Sequence, residues 1–130
     1  MWKTGTQTVF GTGPEEATAM LIGEQPGHQE GLAGVAFVGP SGLLLGQPME
    51  EAGVRRDEVY LTNTVKHFKF EQRGKVRMHQ RANASEQAAC RMWLAAEMMR
   101  VQPRLVVCLG AMAAQTVFGP TFRVTRERGR

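Results

Sequence analysis

The apolar positions of this chain fall into short unbroken runs separated by longer amphipathic stretches. The first run, Ala19-Met20-Leu21-Ile22, reads as a buried strand ending at Gly23. Val59-Tyr60-Leu61-Thr62-Asn63-Thr64-Val65 is a second strand, rich in β-branched side chains, and Leu105-Val106-Val107-Cys108-Leu109 is a third. Helical patterns lie between them. From Leu43 to Ala52, the residues Leu43, Leu44, Leu45, Met49 and Ala52 can share a face, with Pro48 expected to kink or shorten the helix and Gly53 to end it. Asn83 or Ser85 caps a helix running through Met99, whose apolar set includes Cys90, Trp93, Leu94 and Met98. Pro103 breaks the chain, and Ala111 to Phe118 forms the last helix before Gly119-Pro120. Met1 to Thr18 shows no strong period and holds a glycine-rich turn, Gly11-Thr12-Gly13-Pro14.

Strands alternating with helices imply a parallel sheet covered on both faces by right-handed crossovers, a three-layer α/β/α arrangement. With 130 residues there is room for one domain with a modest core, and three strands make a small sheet. The composition, 42% hydrophobic and 22% charged, is that of an ordinary globular chain. No apolar run reaches the length of a membrane span, and Met1-Trp2-Lys3-Thr4 is no signal peptide, so no membrane partner and a cytoplasmic location are expected. Cys90 and Cys108 make no disulfide framework, and Cys108, inside the third strand, reads as a small buried hydrophobe.

Charge adds a partner class. The net charge is only +4, but Lys66, Lys69, Arg73, Lys75, Arg77 and Arg81 stand together against a single Glu71, and Arg123, Arg126, Arg128 and Arg130 crowd the tail. Two such clusters suit a polyanion; the plainer reading is a solvated loop and a frayed tail.

The chain is organised around the stretch from Met20 to Gly42. A strand ends there in a long loop punctuated by Gly27, Gly31, Gly34, Gly39 and Gly42, and loops of that length are functional or disordered. In open α/β sheets ligands bind beyond the carboxyl ends of the strands, where Glu24, Gln25 and Phe37 fall, together with Asn63 from the second strand. An Asn amide there can accept from N3–H and donate to O4 of a pyrimidine, and Phe37 can stack on the ring, as around a flipped base. A turn-forming Asn and a core Phe are the alternatives. The basic loop adds His67 and His79, solvated residues or acid–base and nucleophilic groups. Gly23-Glu24-Gln25-Pro26-Gly27 fits neither a Walker loop nor a dinucleotide fingerprint.

Taken in order, Gly23-Glu24-Gln25-Pro26-Gly27, Phe37-Val38-Gly39-Pro40-Ser41-Gly42, Thr62-Asn63-Thr64-Val65-Lys66-His67-Phe68-Lys69-Phe70, Ala89-Cys90-Arg91-Met92-Trp93-Leu94 and Leu109-Gly110-Ala111 resemble the uracil-DNA glycosylase superfamily. The resemblance is closest to UdgX, a branch related to the family 4 iron–sulphur enzymes. Lys75-Val76-Arg77-Met78-His79 resembles that branch's Lys-Arg-Arg-Ile-His insertion, whose last histidine bonds covalently to the DNA sugar.

The resemblance implies roles residue by residue. Glu24 matches the carboxylate supporting the attacking group and Gln25 its signature neighbour. Phe37 matches the aromatic stacking on uracil, and Asn63 the amide reading its edge. His79 matches the covalent nucleophile, with Lys75 and Arg77 placed to hold flanking phosphates. His67 and Cys90 match two ligands of a four-iron–four-sulphur cluster. The chain departs from the pattern at His28, Ala36, Val76 and Met78. No Cys-x-x-Cys precedes Thr4 and no His-Pro-Ser follows Arg130, so the chain is expected to be the middle of a glycosylase, lacking both ends and holding no stable cluster. The expected activity is excision of uracil from DNA, single-stranded by preference, by a monomer that traps itself on the product. A hydrolytic glycosylase and a non-catalytic DNA-binding domain are the competing expectations.

Overall fold

A computed structural model describes residues 7–67, 70–73, 76–79 and 82–128, the second and third of these segments as backbone. The elements in order are β1 (Ala19–Gly23), α1 (His28–Ala33), α2 (Pro40–Glu51), a 3-10 turn (Arg56–Glu58), β2 (Tyr60–Asn63), β3 (Phe70–Arg73), β4 (Val76–His79), α3 (Ala84–Val101), β5 (Leu105–Cys108), α4 (Ala111–Phe118) and α5 (Val124–Glu127).

The sheet has the order β2-β1-β5, with both neighbours parallel to β1. Leu21 pairs with Leu61 on one side and Val107 on the other, and Met20 with Tyr60 and Val106. The side-chain period of two then sorts the core into two faces. Leu21, Leu61 and Val107 pack with Val9, Phe37, Leu45, Met49 and Val59, beneath α2 and the loop before it. Met20, Ile22 and Val106 pack with Leu94, Val101 and Ala113, beneath α3 and α4. The result is the expected three-layer α/β/α sandwich, with β1 buried from Met20 to Gly23 because both faces are covered. The lead-in is not idle: Thr12 exchanges backbone hydrogen bonds with Leu61, and the Val9 N–H donates to the Lys66 carbonyl, covering the free edge of β2.

Several elements differ from expectation. The long loop after β1 contains α1, entered at Gly27 and left at Gly34 in the left-handed conformation. Helix α2 starts at Pro40, suited to a first helical turn, rather than at Leu43. Pro48 does not cut it short: the helix continues to Glu51, one turn past the bond that proline cannot donate. Leu43 and Leu44 are about three-quarters exposed, at 77% and 74%, while Leu45 and Met49 face the core. Three consecutive leucines span some 200° of a helix and cannot share one face.

Strand β2 is limited to Tyr60–Asn63, although Thr64 and Val65 stay buried beyond it. Asn83 is the cap of α3, closed by a reciprocal capping box in which the Glu86 N–H donates to Asn83 Oδ1 and the Asn83 N–H to Glu86 Oε1, both at 2.9 Å. Cys90 and Leu94 point inward, but Trp93 is nearly half exposed, edge-on to Phe10 at 5.7 Å between ring centroids. Cys108 is half-buried rather than buried, because β5 is an edge of the sheet among the described residues. The basic stretch is no plain loop: β3 and β4 pair antiparallel, with Phe70 opposite His79 and Arg73 opposite Val76. No described helix is long and apolar enough to cross a membrane.

Candidate active site

The carboxyl ends of β1 and β2 are fastened together residue by residue. Gly23 pairs with Asn63, the Thr64 N–H donates to the Gly23 carbonyl at 2.8 Å, and the Val65 N–H to the Glu24 carbonyl at 2.9 Å. The Leu109 N–H donates to the Ile22 carbonyl at 2.8 Å, bringing the end of β5 to the same place. Above these strand ends opens a cleft of about 830 Å³ whose walls include Glu24, Gln25, Phe37 and Asn63, with His28, Ser41, Leu44 and Leu109. Four of the residues singled out in the sequence therefore converge.

Their closeness turns on Gly23. A Cβ at that position would lie 2.5 Å from Asn63 Oδ1 and 2.9 Å from Phe37 Cζ. The amide and the ring thus crowd one backbone atom, and only a glycine admits both. Asn63 and Gln25 are buried and Glu24 is half-buried, so a planar ring entering the cleft would find an aromatic face, an amide edge and a carboxylate within one small volume.

Beneath Asn63 lies a polar network that the sequence did not announce. Lys66, grouped by sequence with the basic loop, is 1% exposed and is therefore not available to a polyanion. Its ammonium donates to Thr62 Oγ1 at 2.7 Å, to the Asn63 carbonyl and to Glu97. Glu97 also accepts from the Tyr60 hydroxyl at 2.7 Å, the Thr62 hydroxyl and the Gly11 N–H at 2.9 Å. Burial pulls the Lys66 ammonium below its ordinary range, against the opposing pull of Glu97. Burial and then Glu97 hold the Tyr60 phenol protonated, above its usual range.

Two further residues missed from sequence brace the wall that carries Phe37. Glu30, buried in α1, accepts from the Gly27 N–H at 2.8 Å and from the Val38 and Gly39 N–H groups. Arg56 donates to the Phe37 carbonyl and reaches those of Ala36 and Gly42 at 3.4 Å. A Glu three residues beyond Gly27, at a helix start, was the one signal available in advance.

The other candidates lie elsewhere. His67 is half-buried, with its Nε2 2.9 Å from the Thr8 hydroxyl, and burial lowers its pKa. Cys90 packs with Val65, Ala82 and Met112. Among the described residues no three His, Cys, Asp or Glu side chains gather as metal donors, so His67 and Cys90 do not by themselves make a cluster's four-ligand shell. Lys75 lies outside the described residues; Arg77 and His79 are described as strand backbone, and their side chains lie outside the description.

Residues 10–129 match the model of the uracil DNA glycosylase superfamily. The chain is 36% identical over 116 residues to the Type-4 uracil-DNA glycosylase of Archaeoglobus fulgidus, covering 89% of this chain and 55% of that protein. It is 35% identical over 125 residues to that of Thermotoga maritima, with 95% and 62% covered, and 33% identical over 135 residues to that of Sulfurisphaera tokodaii, with 100% and 58% covered. The chain spans a little over half the length of these relatives. With its strand order, its cleft at the strand ends and a match over nearly its whole length, the chain belongs to the uracil-DNA glycosylase superfamily.

Proposed function

We propose that this chain carries the uracil-excision site of a DNA glycosylase that captures its own product. The observation that carries the excision site is the convergence of Phe37, Asn63 and Glu24 about Gly23; the capture rests on the resemblance of Lys75 to His79 to the cross-linking branch. A uracil turned out of the DNA strand stacks on Phe37, and the Asn63 amide accepts from N3–H and donates to O4. Cleavage of the C1′–N1 bond leaves its electron pair on uracil and builds positive charge on the sugar, which the Glu24 carboxylate stabilises. Gln25, beside it, orients the attacking group.

In this reading the attacking group is His79, in β4 of the basic hairpin, with Lys75 and Arg77 on the flanking phosphates. A neutral imidazole nitrogen gives its lone pair to C1′, the other ring nitrogen releases its proton, and the departing uracil anion takes one up. In this reading the new carbon–nitrogen bond is not hydrolysed, so each molecule turns over once. The substrate is uracil-containing DNA, single-stranded by preference, and the enzyme acts as a cytoplasmic monomer. A four-iron–four-sulphur cluster would draw on His67 and Cys90 and require two donors from outside the described residues; no step above passes through it.

A hydrolytic glycosylase is the second reading, favoured by the Type-4 names of the relatives. There, water replaces His79 and the product is an abasic site. Mixed with uracil-containing single-stranded DNA, the protein should give an adduct stable to heat and detergent, and His79→Ser should abolish it. Repeated turnover by the unaltered protein with no adduct selects the hydrolytic reading instead.

A further inference from the structure

Phe37 is built in an unfavourable backbone conformation. Its φ is 57°, in the left-handed region that a bulky residue seldom enters, and yet it is buried in the wall of the cleft. Such a conformation persists only where its surroundings over-determine it. Here, the peptide plane that follows Phe37 is held at both edges. Its carbonyl accepts from the Arg56 guanidinium, and its N–H, that of Val38, donates to Glu30 Oε2 at 3.1 Å. The next N–H, of Gly39, goes to the same carboxylate oxygen. Gly42 completes the fit, since a Cβ there would lie 1.9 Å from the Phe37 carbonyl oxygen.

We propose that Glu30 and Arg56 are positioning residues that set the Phe37 ring for stacking on the base, without touching the base themselves. An anion on the N–H edge and a cation on the C=O edge fix the rotation of one peptide, and that rotation fixes the direction of the ring. The two groups also tie the ring to its partners in the cleft. Glu30 Oε1 holds the Gly27 N–H, three residues beyond Glu24, and Arg56 opens the turn that leads into the strand bearing Asn63. The inference rests on the uracil-binding reading above.

The test compares the unaltered protein with Arg56→Gln, Arg56→Lys, Phe37→Leu and the double variant Arg56→Gln/Phe37→Leu. Uracil affinity is measured by calorimetry, and the contact between the Phe37 ring and the Gly23 Hα protons by nuclear Overhauser effect. Arg56→Gln should lose that contact and weaken uracil binding by about tenfold, as expected for one base–aromatic stack. Arg56→Lys, which keeps a single donor, should lose less. Millimolar guanidinium should restore part of the Arg56→Gln loss, whereas a role in global stability alone would be worsened by a denaturant. In the Phe37→Leu background the further change at Arg56 should cost nothing, because the ring it positions is gone. Retention of both contact and affinity in Arg56→Gln, or simple additivity in the double variant, overturns the positioning role. Absence of uracil binding by the unaltered protein overturns the uracil reading and the base-holding role together.

Discussion

The Lys66 ammonium lies against the Glu97 carboxylate beneath the carboxyl end of β2, with 1% of one side chain and 9% of the other exposed. Removing one partner leaves the other charge buried, a loss of roughly 3–5 kcal/mol where water cannot reach it. Lys66→Met should therefore lower the unfolding free energy by that order, measured by urea titration. The change should also loosen Asn63, whose carbonyl loses the Lys66 donor. A loss within about 1 kcal/mol, as for an ordinary surface substitution, would show that the pair does not brace the strand end.

Gly23 makes a sharper test of the cleft than any charged residue, since the change is one methyl group. In Gly23→Ala the new Cβ would overlap both Asn63 Oδ1 and Phe37 Cζ. The strand backbone is held on both sides by β2 and β5, so the side chains must yield. Overpacking of this kind costs about 1–3 kcal/mol of stability, and if Asn63 and Phe37 read and stack on the base as proposed, displacing them by about 1 Å should cost on the order of 100-fold in excision rate. Unchanged excision by Gly23→Ala would mean that Asn63 and Phe37 do not both meet the base.

The strands and the convergence at their ends were legible because they depend on local signals: an apolar run closed by Gly23, and a β-branched run ending in Asn63. Leu43 and Leu44 misled because residue type was read where angle around the helix decides. The hairpin of β3 and β4 was readable in principle, since Val76-Arg77-Met78-His79 alternates after Gly74, but the surrounding charge suggested a loop. For Glu30 the spacing from Gly27 signalled only its cap bond; its bonds to the Val38 and Gly39 N–H groups, and all of those made by Arg56, were beyond reach. Those partners are backbone groups up to 20 positions away, and no spacing rule links a side chain to a peptide brought near by the fold. Lys66 failed for the reverse reason, since neighbours in sequence suggested a surface charge whose true partner is Glu97, 31 residues on.

His67 supplies a pH dependence. Burial lowers its pKa below the ordinary value of 6.5, so the folded protein resists protonation that the unfolded chain accepts. The unfolded state therefore binds more protons in the window between 6.5 and the lower folded pKa, and stability rises with pH there. The contribution is fully present above 6.5 and lost as pH falls through the folded pKa. Urea midpoints above and well below that window should differ less in His67→Gln than in the unaltered protein. Equal differences in the two proteins would assign the dependence to other groups.

In the proposed uracil site, Asn63 and Phe37 would act on different properties of the base, and their variants should separate. If the buried Asn63 amide accepts from N3–H and donates to O4, cytosine presents the opposite pattern at both positions and leaves the amide unsatisfied. A site built to pair a polar edge rejects the mismatched analogue by a factor of about 10⁴–10⁵. On the same reading, Phe37 would stack on any planar ring and add affinity with little discrimination. Asn63→Ala should therefore abolish excision of uracil, while Phe37→Leu should weaken it by about tenfold and leave the preference for uracil over cytosine intact. Both variants should remain folded, because Asn63 pairs in the sheet through its backbone and leucine retains most of the apolar contact of phenylalanine. Excision on paired oligonucleotides differing only in uracil or cytosine, with near-ultraviolet circular dichroism as the check on folding, measures both effects. Equal excision of uracil by the unaltered protein and Asn63→Ala would remove Asn63 from base recognition and leave the stacking wall without its reading edge.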